Sequence, residues 1–423
     1  MNFELFYESS GVCTDTRNIK KDCLFICLKG FNFNGNTFAQ NAIKKGAKYV
    51  ICDEQEYANE STIFFVEDAL LYLQQLSNHH RNKFTIPILG ITGTNGKTTT
   101  KELIFHVLNQ KFNVLATKGN LNNHIGVPLT LLQLNQANEI AIIEMGANKP
   151  GDIKELVEIA NPTHCIITNI GKAHLEGFGS YEGVIRTKGE MYQFAKKNQA
   201  IVFYNDEDEI LQSILPEKTN TIPFNSLIQT ELIKMTPYVN MKWSSNQYKS
   251  GVLETKMIGK YNYQNFRTAI SIGKYFNVEN EKISNAVCNY EPTNNRSQVQ
   301  KTDNNILILD AYNANPSSMK NAIDSFEEMD YTNKLLILGD MFELGDVSPV
   351  EHQNIISSIE QKKLPCYFVG KHFQHELRTV EKVTFFQTKE ELITELKENP
   401  IKDKLILLKA SRGIGLEEVV QYL

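Results

Sequence analysis

Gly90-Ile91-Thr92-Gly93-Thr94-Asn95-Gly96-Lys97-Thr98-Thr99-Thr100 is the stretch on which the fold turns. The apolar residues before it (Ile86, Ile88, Leu89) read as a buried strand. Lys101-Glu102-Leu103-Ile104-Phe105-His106-Val107-Leu108 after it has the apolar rhythm of a helix. Strand, glycine-rich turn, Gly-Lys-Thr and helix together make a phosphate cradle. Glycines let backbone N–H groups converge on anionic oxygens, and the helix N-terminus adds partial positive charge. Lys97 would then reach the β- and γ-phosphates, and the Thr98 hydroxyl would ligate Mg²⁺. The spacing departs from G-x-x-x-x-G-K-[ST], because Ile91 stands where the first glycine belongs. A merely flexible Ser/Thr/Gly turn would not be bracketed by this strand and helix.

The 423 residues exceed what one hydrophobic core supports, so two or three domains are expected. A hydrophobic content of 41% with 22% charged residues is an ordinary globular balance, and a net charge of −5 gives no support for a nucleic-acid partner. No apolar stretch approaches the length of a membrane span, and the acidic start Asn2-Phe3-Glu4-Leu5 is unlike a secretory leader. The seven cysteines are scattered, without close CxxC pairs. Cys27, Cys52 and Cys165 sit in apolar runs and read as small core residues. A monomer in a reducing cytoplasm is the expectation.

Three blocks follow one another. Residues 1–84 carry short strands (Leu24–Leu28, Tyr49–Cys52) and helical pieces (Asn36–Lys45, Asp68–His80), a small α/β unit. Residues 85–295 open with the phosphate loop and continue with buried strands at Ile140–Met145, Cys165–Asn169 and Ala200–Phe203. Helical segments separate these strands, which predicts a mainly parallel sheet. Within this block residues 225–257 are β-prone and polar, an expected antiparallel appendage. Residues 296–423 alternate again, with strands at Ile306–Leu309, Leu335–Leu338, Tyr367–Val369 and Leu405–Leu408, and read as a second doubly wound sheet.

Polar clusters sit where these strands end, the place open α/β sheets reserve for ligands. Glu144 ends a strand on the phosphate-loop sheet. Position alone leaves it either a second Mg²⁺ ligand or a strand-end cap or solvent-facing acid. His174 stands in a glycine-containing loop, Asn169-Ile170-Gly171-Lys172-Ala173-His174-Leu175-Glu176-Gly177, which suits a ligand better than a lone surface histidine. Lys188, in Arg186-Thr187-Lys188-Gly189-Glu190, reads on its own as a solvated helix lysine. Gly189 hints at close approach of another backbone. Asp310-Ala311-Tyr312-Asn313-Ala314-Asn315-Pro316-Ser317-Ser318-Met319 follows the first strand of the third block. Asn315 could cap a helix with Pro316 at its first position, yet the density of Asp, Tyr and Asn exceeds what capping needs. Gly339-Asp340-Met341-Phe342-Glu343-Leu344-Gly345 and Lys409-Ala410-Ser411-Arg412-Gly413 follow two later strands, so all three clusters gather on one sheet edge. Arg296 lies at the junction of blocks two and three, where a cation could join the site on domain closure.

These motifs together resemble the Mur ligases, ATP-dependent amide-forming enzymes of bacterial cell-wall synthesis, over all three blocks. Thr92–Thr99 is similar to the family's ATP loop, which accounts for the unusual spacing. The resemblance implies a small uridine-nucleotide-binding α/β domain (1–84), a central P-loop ATPase-like domain (85–295) and a C-terminal Rossmann-like domain (296–423). It implies nucleotide contacts at Gly93, Thr94, Asn95, Gly96, Lys97, Thr98, Thr99, Asn262, Asp310, Tyr312 and Asn313. Two Mg²⁺ ions are implied, one held by Thr98 and Glu144. The other would be held by His174 and by Lys188 carrying a carbamate, which reverses the bland reading of Lys188. Lys97, Lys188 and Arg296 would take the catalytic roles.

Thr14-Asp15-Thr16-Arg17 is similar to the family's uridine-binding Asp-Ser-Arg. Asn34 and Asn36 replace the Asp and His of its Gly-x-x-x-Asp-Gly-His, and Tyr261 replaces the His of its Gly-Arg-His-Asn-x-x-Asn. Asn120, Asn122 and Asn123 match a loop facing the muramoyl-peptide. Asn315, Asp340, Lys409, Ser411 and Arg412 complete the implied substrate set. The 310–319 stretch is most similar to the D-alanyl-D-alanine-adding members. The implied reaction is therefore ATP-driven joining of D-alanyl-D-alanine to a UDP-N-acetylmuramoyl-tripeptide through an acyl phosphate. Another Mur ligase or a folylpolyglutamate synthase-like amide ligase is the alternative.

Overall fold

The structure is a computed structural model that describes residues 2–59, 61–293, 295–374 and 382–423. It contains three α/β units in chain order. In the first, Val12–Cys13, Leu24–Ile26, Tyr49–Cys52 and Ile63–Phe65 pair in that order, all parallel. Leu24, Ile26 and Ile51 face one apolar cluster with Tyr72, Leu73 and Leu76 of the Ala69–Arg81 helix. Phe25, Cys27, Val50 and Cys52 face another on the opposite side. Burial on both faces is why these strands read as continuous apolar runs rather than alternating ones. Cys27, Cys52 and Cys165 are buried free thiols, as their apolar neighbourhoods suggest.

The central unit is a six-stranded, all-parallel sheet in the order Thr221–Pro223, Ile201–Tyr204, His164–Ile167, Ile88–Thr92, Ile140–Glu144, Val114–Ala116. Ile88–Thr92 lies mid-sheet, and the chain departs from it to strands on both sides. That reversal opens a crevice at the carboxyl ends of the strands, where the phosphate loop, Glu144 and the loop after Ile167 emerge. The 225–257 segment is antiparallel, as its polar β-prone composition predicts. The buried Trp243 of this appendage donates to Ser284 Oγ at 3.0 Å.

The third unit has the strand order Gln298–Lys301, Ile306–Leu309, Leu405–Lys409, Lys334–Gly339, Cys366–Val369, Val383–Phe386. All pairs are parallel except the antiparallel edge strand Gln298–Lys301, which the sequence reading did not single out. Asp310, Asp340 and Lys409 stand at the carboxyl ends of three adjacent strands.

The first two units are bolted together. Gln74 donates to Glu155 at 2.7 Å, Asn78 donates to the carbonyls of Glu158 and Ile159, and Arg81 donates to those of Ala160 and Asn161. The passage into the third unit runs through Asn295 and Ser297, both at positive φ (55° and 54°). One local expectation is corrected. A Cβ at Gly189 would meet only Ile214 Cδ1, at 3.9 Å, so no backbone packs against it. Its neighbour Glu190 instead caps a helix, accepting from Gly151 N and Lys154 N at 2.9 and 2.8 Å.

Candidate active site

A cleft of about 840 Å³ opens between the three units, lined by Leu70 of the first, the phosphate loop, Glu144 and His174 of the second, and Arg296, Asp310, Tyr312 and Lys409 of the third. The helix Lys97–Leu108 begins at its floor. Two glycines are required there. Gly93 sits at φ 141° with Thr168 Oγ1 only 2.0 Å from where its Cβ would be. Gly96 sits at φ 77° with Asn265 Oδ1 2.8 Å from the same point. The loop is pinned from the neighbouring strand end. Thr94 N donates to the Asn169 carbonyl at 2.9 Å, Asn95 N to Asn169 Oδ1 at 3.0 Å, and Asn169 Nδ2 returns to the Asn95 carbonyl at 2.9 Å. The first-turn N–H groups of a helix have no intrahelical partner, so this rigid loop presents them to an anion.

The Lys97 ammonium folds back onto the loop, donating to the carbonyls of Gly93 and Thr94 at 2.8 and 3.0 Å. Burial lowers its pKa to about 8. Glu144 pulls the other way, and the Arg296 cation adds to the lowering. A group so placed gains more than a solvated lysine from meeting a phosphate.

Thr98 Oγ1 donates to Glu144 Oε1 at 3.0 Å, and Asn122 Nδ2 donates to the same oxygen at 2.9 Å. Glu144 is 1% exposed, and its Oε2 is buried with no partner. A buried carboxylate oxygen without a donor is costly unless something positive takes it. A hydroxyl and a carboxylate oxygen are the hard donors that Mg²⁺ favours, so the residues present fit that ion.

His174 lines the cleft at φ 51°, and its Nδ1 faces Oε2 of Glu343 from the third unit. That contact holds the Glu343 carboxyl below its ordinary pKa. Lys188 lies on the Tyr181–Asn198 helix, 2% exposed, with Nζ 5.7 Å from the Phe178 ring centroid. The His174 ring lies 6.3 Å from the same centroid. Burial, then the nearby Lys97 cation, push the Lys188 amine well below its ordinary pKa, against weaker pulls from Asp152 and Glu190. It is therefore not a solvated helix lysine. Among the described residues no group of three or more His, Cys, Asp and Glu side chains could hold a metal, so a second cation here needs a further oxygen donor.

In the third unit Lys409 Nζ meets Asp310 Oδ2 at 2.5 Å and is 2% exposed. Asp310 Oδ1 accepts from Ser297 N at 3.2 Å, and Ser297 Oγ meets the Tyr261 hydroxyl at 2.6 Å. Burial and the Asp310 carboxylate push that phenol's pKa up. Asn262 Nδ2 donates to the Ile258 carbonyl at 2.7 Å, and its Oδ1 accepts from Asn265 at 2.8 Å. The Tyr312 ring has the Arg296 guanidinium 3.8 Å from its centroid and that of Arg412 at 5.4 Å. Asn315 caps the Pro316–Glu327 helix through Oδ1 and donates through Nδ2 to Asn95 Oδ1 at 2.8 Å, so one side chain serves both cap and phosphate loop.

The cleft thus brings together Thr94–Thr99, Asn120, Asn122, Asn123, Glu144, His174, Asn262, Arg296, Asp310, Tyr312, Asn313, Asn315 and Lys409. Other expected residues lie off its lining, among them Gly93 within the loop and Lys188, buried on its helix. Asp340 is 2% exposed, and its carboxylate accepts from His372 N and Phe373 N, both at 3.1 Å, fastening a helix start rather than facing the cleft. Ser411 Oγ accepts from Phe342 N at 2.9 Å and donates to the Ala314 carbonyl at 3.3 Å. Arg412 lies beyond Tyr312 and off the cleft lining. Thr14, Asp15, Thr16 and Arg17 are on the first unit, also outside this cleft. Arg17 clamps Asp15 there with contacts of 2.7–3.0 Å and lowers its carboxyl to about 2. Asn36, in the place of the family's histidine, is fully buried and bonded to Asp53 and Asn34. Sequence reasoning did not single out Asn169, Lys172 or Glu343. Each follows an apolar strand or its loop, but nothing local says what it will meet.

A rigid phosphate loop, a Thr–carboxylate pair and a third α/β unit closing the cleft define an ATP-dependent enzyme of three domains. Three families match in chain order: "Mur ligase family, catalytic domain" over residues 8–81, "Mur ligase middle domain" over 91–273 and "Mur ligase, glutamate ligase domain" over 295–412. The chain belongs to the Mur ligase family. It is 35% identical over 432 residues to the UDP-N-acetylmuramoyl-tripeptide–D-alanyl-D-alanine ligase of Bacillus subtilis, covering 97% of this chain and 92% of that protein. Its structure is similar to the crystal structure of MurF from Acinetobacter baumannii, with TM-score 0.87, 27% identity and coverage of 99% and 97%. It also matches the fold of MurF from Thermotoga maritima, solved in complex with ADP, with TM-score 0.86, 24% identity and coverage of 100% and 98%. No helix among the described residues is long and apolar enough to cross a membrane.

Proposed function

We propose that this enzyme joins D-alanyl-D-alanine to UDP-N-acetylmuramoyl-tripeptide with cleavage of ATP to ADP and phosphate, in peptidoglycan synthesis. The observation that carries the reading is the single cleft that places Lys97, Thr98, Glu144 and Arg296 around one phosphate loop. Full-length similarity to ligases of that name supports the choice of substrates.

A carboxylate is a poor electrophile at neutral pH. Its oxygen attacks the γ-phosphorus and ADP leaves, giving an acyl phosphate. The amine of the dipeptide adds to the acyl carbon and gives up a proton, and the tetrahedral adduct expels phosphate. The loop N–H groups and Lys97 hold the β- and γ-phosphates, and Arg296 offsets charge as the phosphoryl group moves. Thr98 and Glu144 would hold one Mg²⁺, which when bound neutralises phosphate charge. His174 and a carbamate on Lys188 would hold a second, since CO₂ adds only to the neutral amine and Lys188 is kept toward that form by burial. Asn120, Asn122, Asn123 and Lys409 would face the peptide ends. Asn262, Asp310, Tyr312 and Asn313 would face the nucleotide.

Residues 1–84 would bind the uridine nucleotide, with Asp15 presenting Arg17, while 85–295 and 296–423 form the ATP and ligase domains. The enzyme would work as a cytoplasmic monomer. Isotope transfer tests the route. With ¹⁸O in the tripeptide's terminal carboxylate, each phosphate released carries one ¹⁸O. Unlabelled phosphate would rule out the acyl phosphate.

A further inference from the structure

Glu144 is held from both of its neighbours in the central sheet. Thr98 arrives from the helix that follows Ile88–Thr92, and Asn122 from the loop that follows Val114–Ala116, the two strands that flank Ile140–Glu144. The main chain of Glu144 is fixed by Thr117, whose Oγ1 accepts from Glu144 N at 3.0 Å. The buried Lys101 in turn donates to the Thr117 carbonyl at 2.6 Å. The side chain is fixed by Thr98 Oγ1 and Asn122 Nδ2, which reach the same oxygen, Oε1, at 3.0 and 2.9 Å. Oε2 is left buried without a partner. An ionised carboxylate can only accept, so the Asn122 side chain turns its NH₂ toward it. Gly146 makes room for that amide: a Cβ there would lie 3.0 Å from Asn122 Oδ1 and 3.3 Å from Nδ2. The Gly146 N–H also donates to the Asn122 carbonyl at 2.7 Å.

Donors from Thr98 and Asn122 together use both lone pairs of Oε1. Thr98 gives its proton there and keeps its own oxygen lone pairs for a cation. Asn122 has no such second use on that side: its amide only blocks Oε1, so the carboxylate can offer a cation Oε2 alone. Mg²⁺ takes near-ideal octahedral positions at about 2.0–2.1 Å, which the narrow bite of a two-oxygen carboxylate distorts. Ca²⁺ accepts that bite within a looser shell of about six to eight oxygens. We infer that Asn122 is a positioning residue that sets the choice of cation: by occupying Oε1 it makes Glu144 a one-oxygen ligand and favours Mg²⁺ over Ca²⁺ at the Thr98–Glu144 site. This role is separate from any contact of Asn122 with the peptide, and it rests on Glu144 being a cation ligand.

The test is displacement of Mn²⁺ from the full chain by Mg²⁺ and by Ca²⁺. A non-hydrolysable ATP analogue is present, Mn²⁺ is kept below one equivalent, and electron paramagnetic resonance reads the bound ion without turnover. Mg²⁺ should displace it from the wild type at lower concentration than Ca²⁺. Asn122→Ala, and Asn122→Leu with a similar shape and no donor, should each shift the ratio of the two displacing concentrations toward Ca²⁺ by about tenfold. Asn122 is partly exposed, and its loop is held through main-chain bonds to Asn120 and Gly146, so these variants are expected to fold. Asn123→Ala serves as the control. Asn123 Oδ1 accepts from Ile125 N and Gly126 N at 3.1 and 2.8 Å, so its loss loosens the same loop without touching Glu144 and should leave the ratio unchanged. An unchanged ratio in both Asn122 variants, or an equal shift in Asn123→Ala, would overturn the positioning role. Wild-type Mn²⁺ affinity in Glu144→Ala would instead overturn the ligand reading beneath it.

Discussion

Thr98 donates its hydroxyl proton to one oxygen of Glu144 at 3.0 Å, and the other oxygen of that carboxylate is buried without a partner. A fold keeps an unsatisfied buried anion only at a cost, and the cost falls away when a cation binds. Glu144→Gln should therefore separate stability from activity. Without metal, the variant should melt about 2 °C or more above the wild type, since the buried charge is gone. Phosphate release should fall by about 10²-fold or more for want of charge neutralisation. A variant that is active and no more stable would remove Glu144 from the metal site.

Lys97 predicts a pH dependence of nucleotide binding. Its pKa in the free cleft is lowered to about 8, chiefly by burial, whereas a phosphate-bound ammonium is stabilised and titrates higher. Below pH 8 the lysine is already charged and affinity is flat. Above pH 8 binding must take up a proton, so affinity for a non-hydrolysable ATP analogue should weaken by up to about tenfold per pH unit. Lys97→Ala should bind weakly with no such slope and should not turn over. Calorimetric titration between pH 7 and 9.5 reads both, and a wild-type affinity constant across that range would refute the role.

Lys188→Ala should lose ligase activity while the protein stays folded. A short carboxylic acid such as acetate, able to occupy the vacated oxygen position, should restore part of it. Lys188→Arg should not substitute, since a guanidinium cannot ligate a cation. A fully active Lys188→Ala protein would leave the carbamate without a function.

His164 gives a stability prediction away from the site. It is 7% exposed, stacked on Phe203 at 5.7 Å, and burial lowers its pKa to about 4. The unfolded chain binds a proton near pH 6.5 and the folded chain near 4, so between these values the unfolded state holds more protons. The stabilisation is complete above pH 6.5 and is lost as pH falls toward 4, by about 3 kcal/mol in all. In His164→Phe that part of the acid destabilisation of the central domain should vanish. Urea midpoints at pH 7 and 4.5 measure it, and identical pH slopes in both proteins would contradict the assignment.

Much of this was legible in the sequence because it is local. The phosphate loop carries its own strand and helix, and the apolar runs at Ile140, Ile306 and Leu405 are short and rich in Ile and Leu, as strands buried on both faces are. Asn315 with Pro316 announces a capped helix, and that helix forms. What stayed hidden depends on partners distant in sequence. Asp340 looks like a ligand at a strand end, but Gly370 lets the His372 helix start close enough to claim its carboxylate. Lys188 looks solvated until packing buries it. Glu343 meets His174 only because the third domain lies against that loop.

Phosphate release from one UDP-N-acetylmuramoyl-tripeptide across a panel of amines decides whether this is an ATP-dependent ligase that accepts D-alanyl-D-alanine. D-alanyl-D-alanine should drive release far faster than single amino acids or glutamate, and Lys97→Ala should abolish it. Equal or faster release with a single amino acid, or with glutamate on a folate acceptor, would contradict that reading.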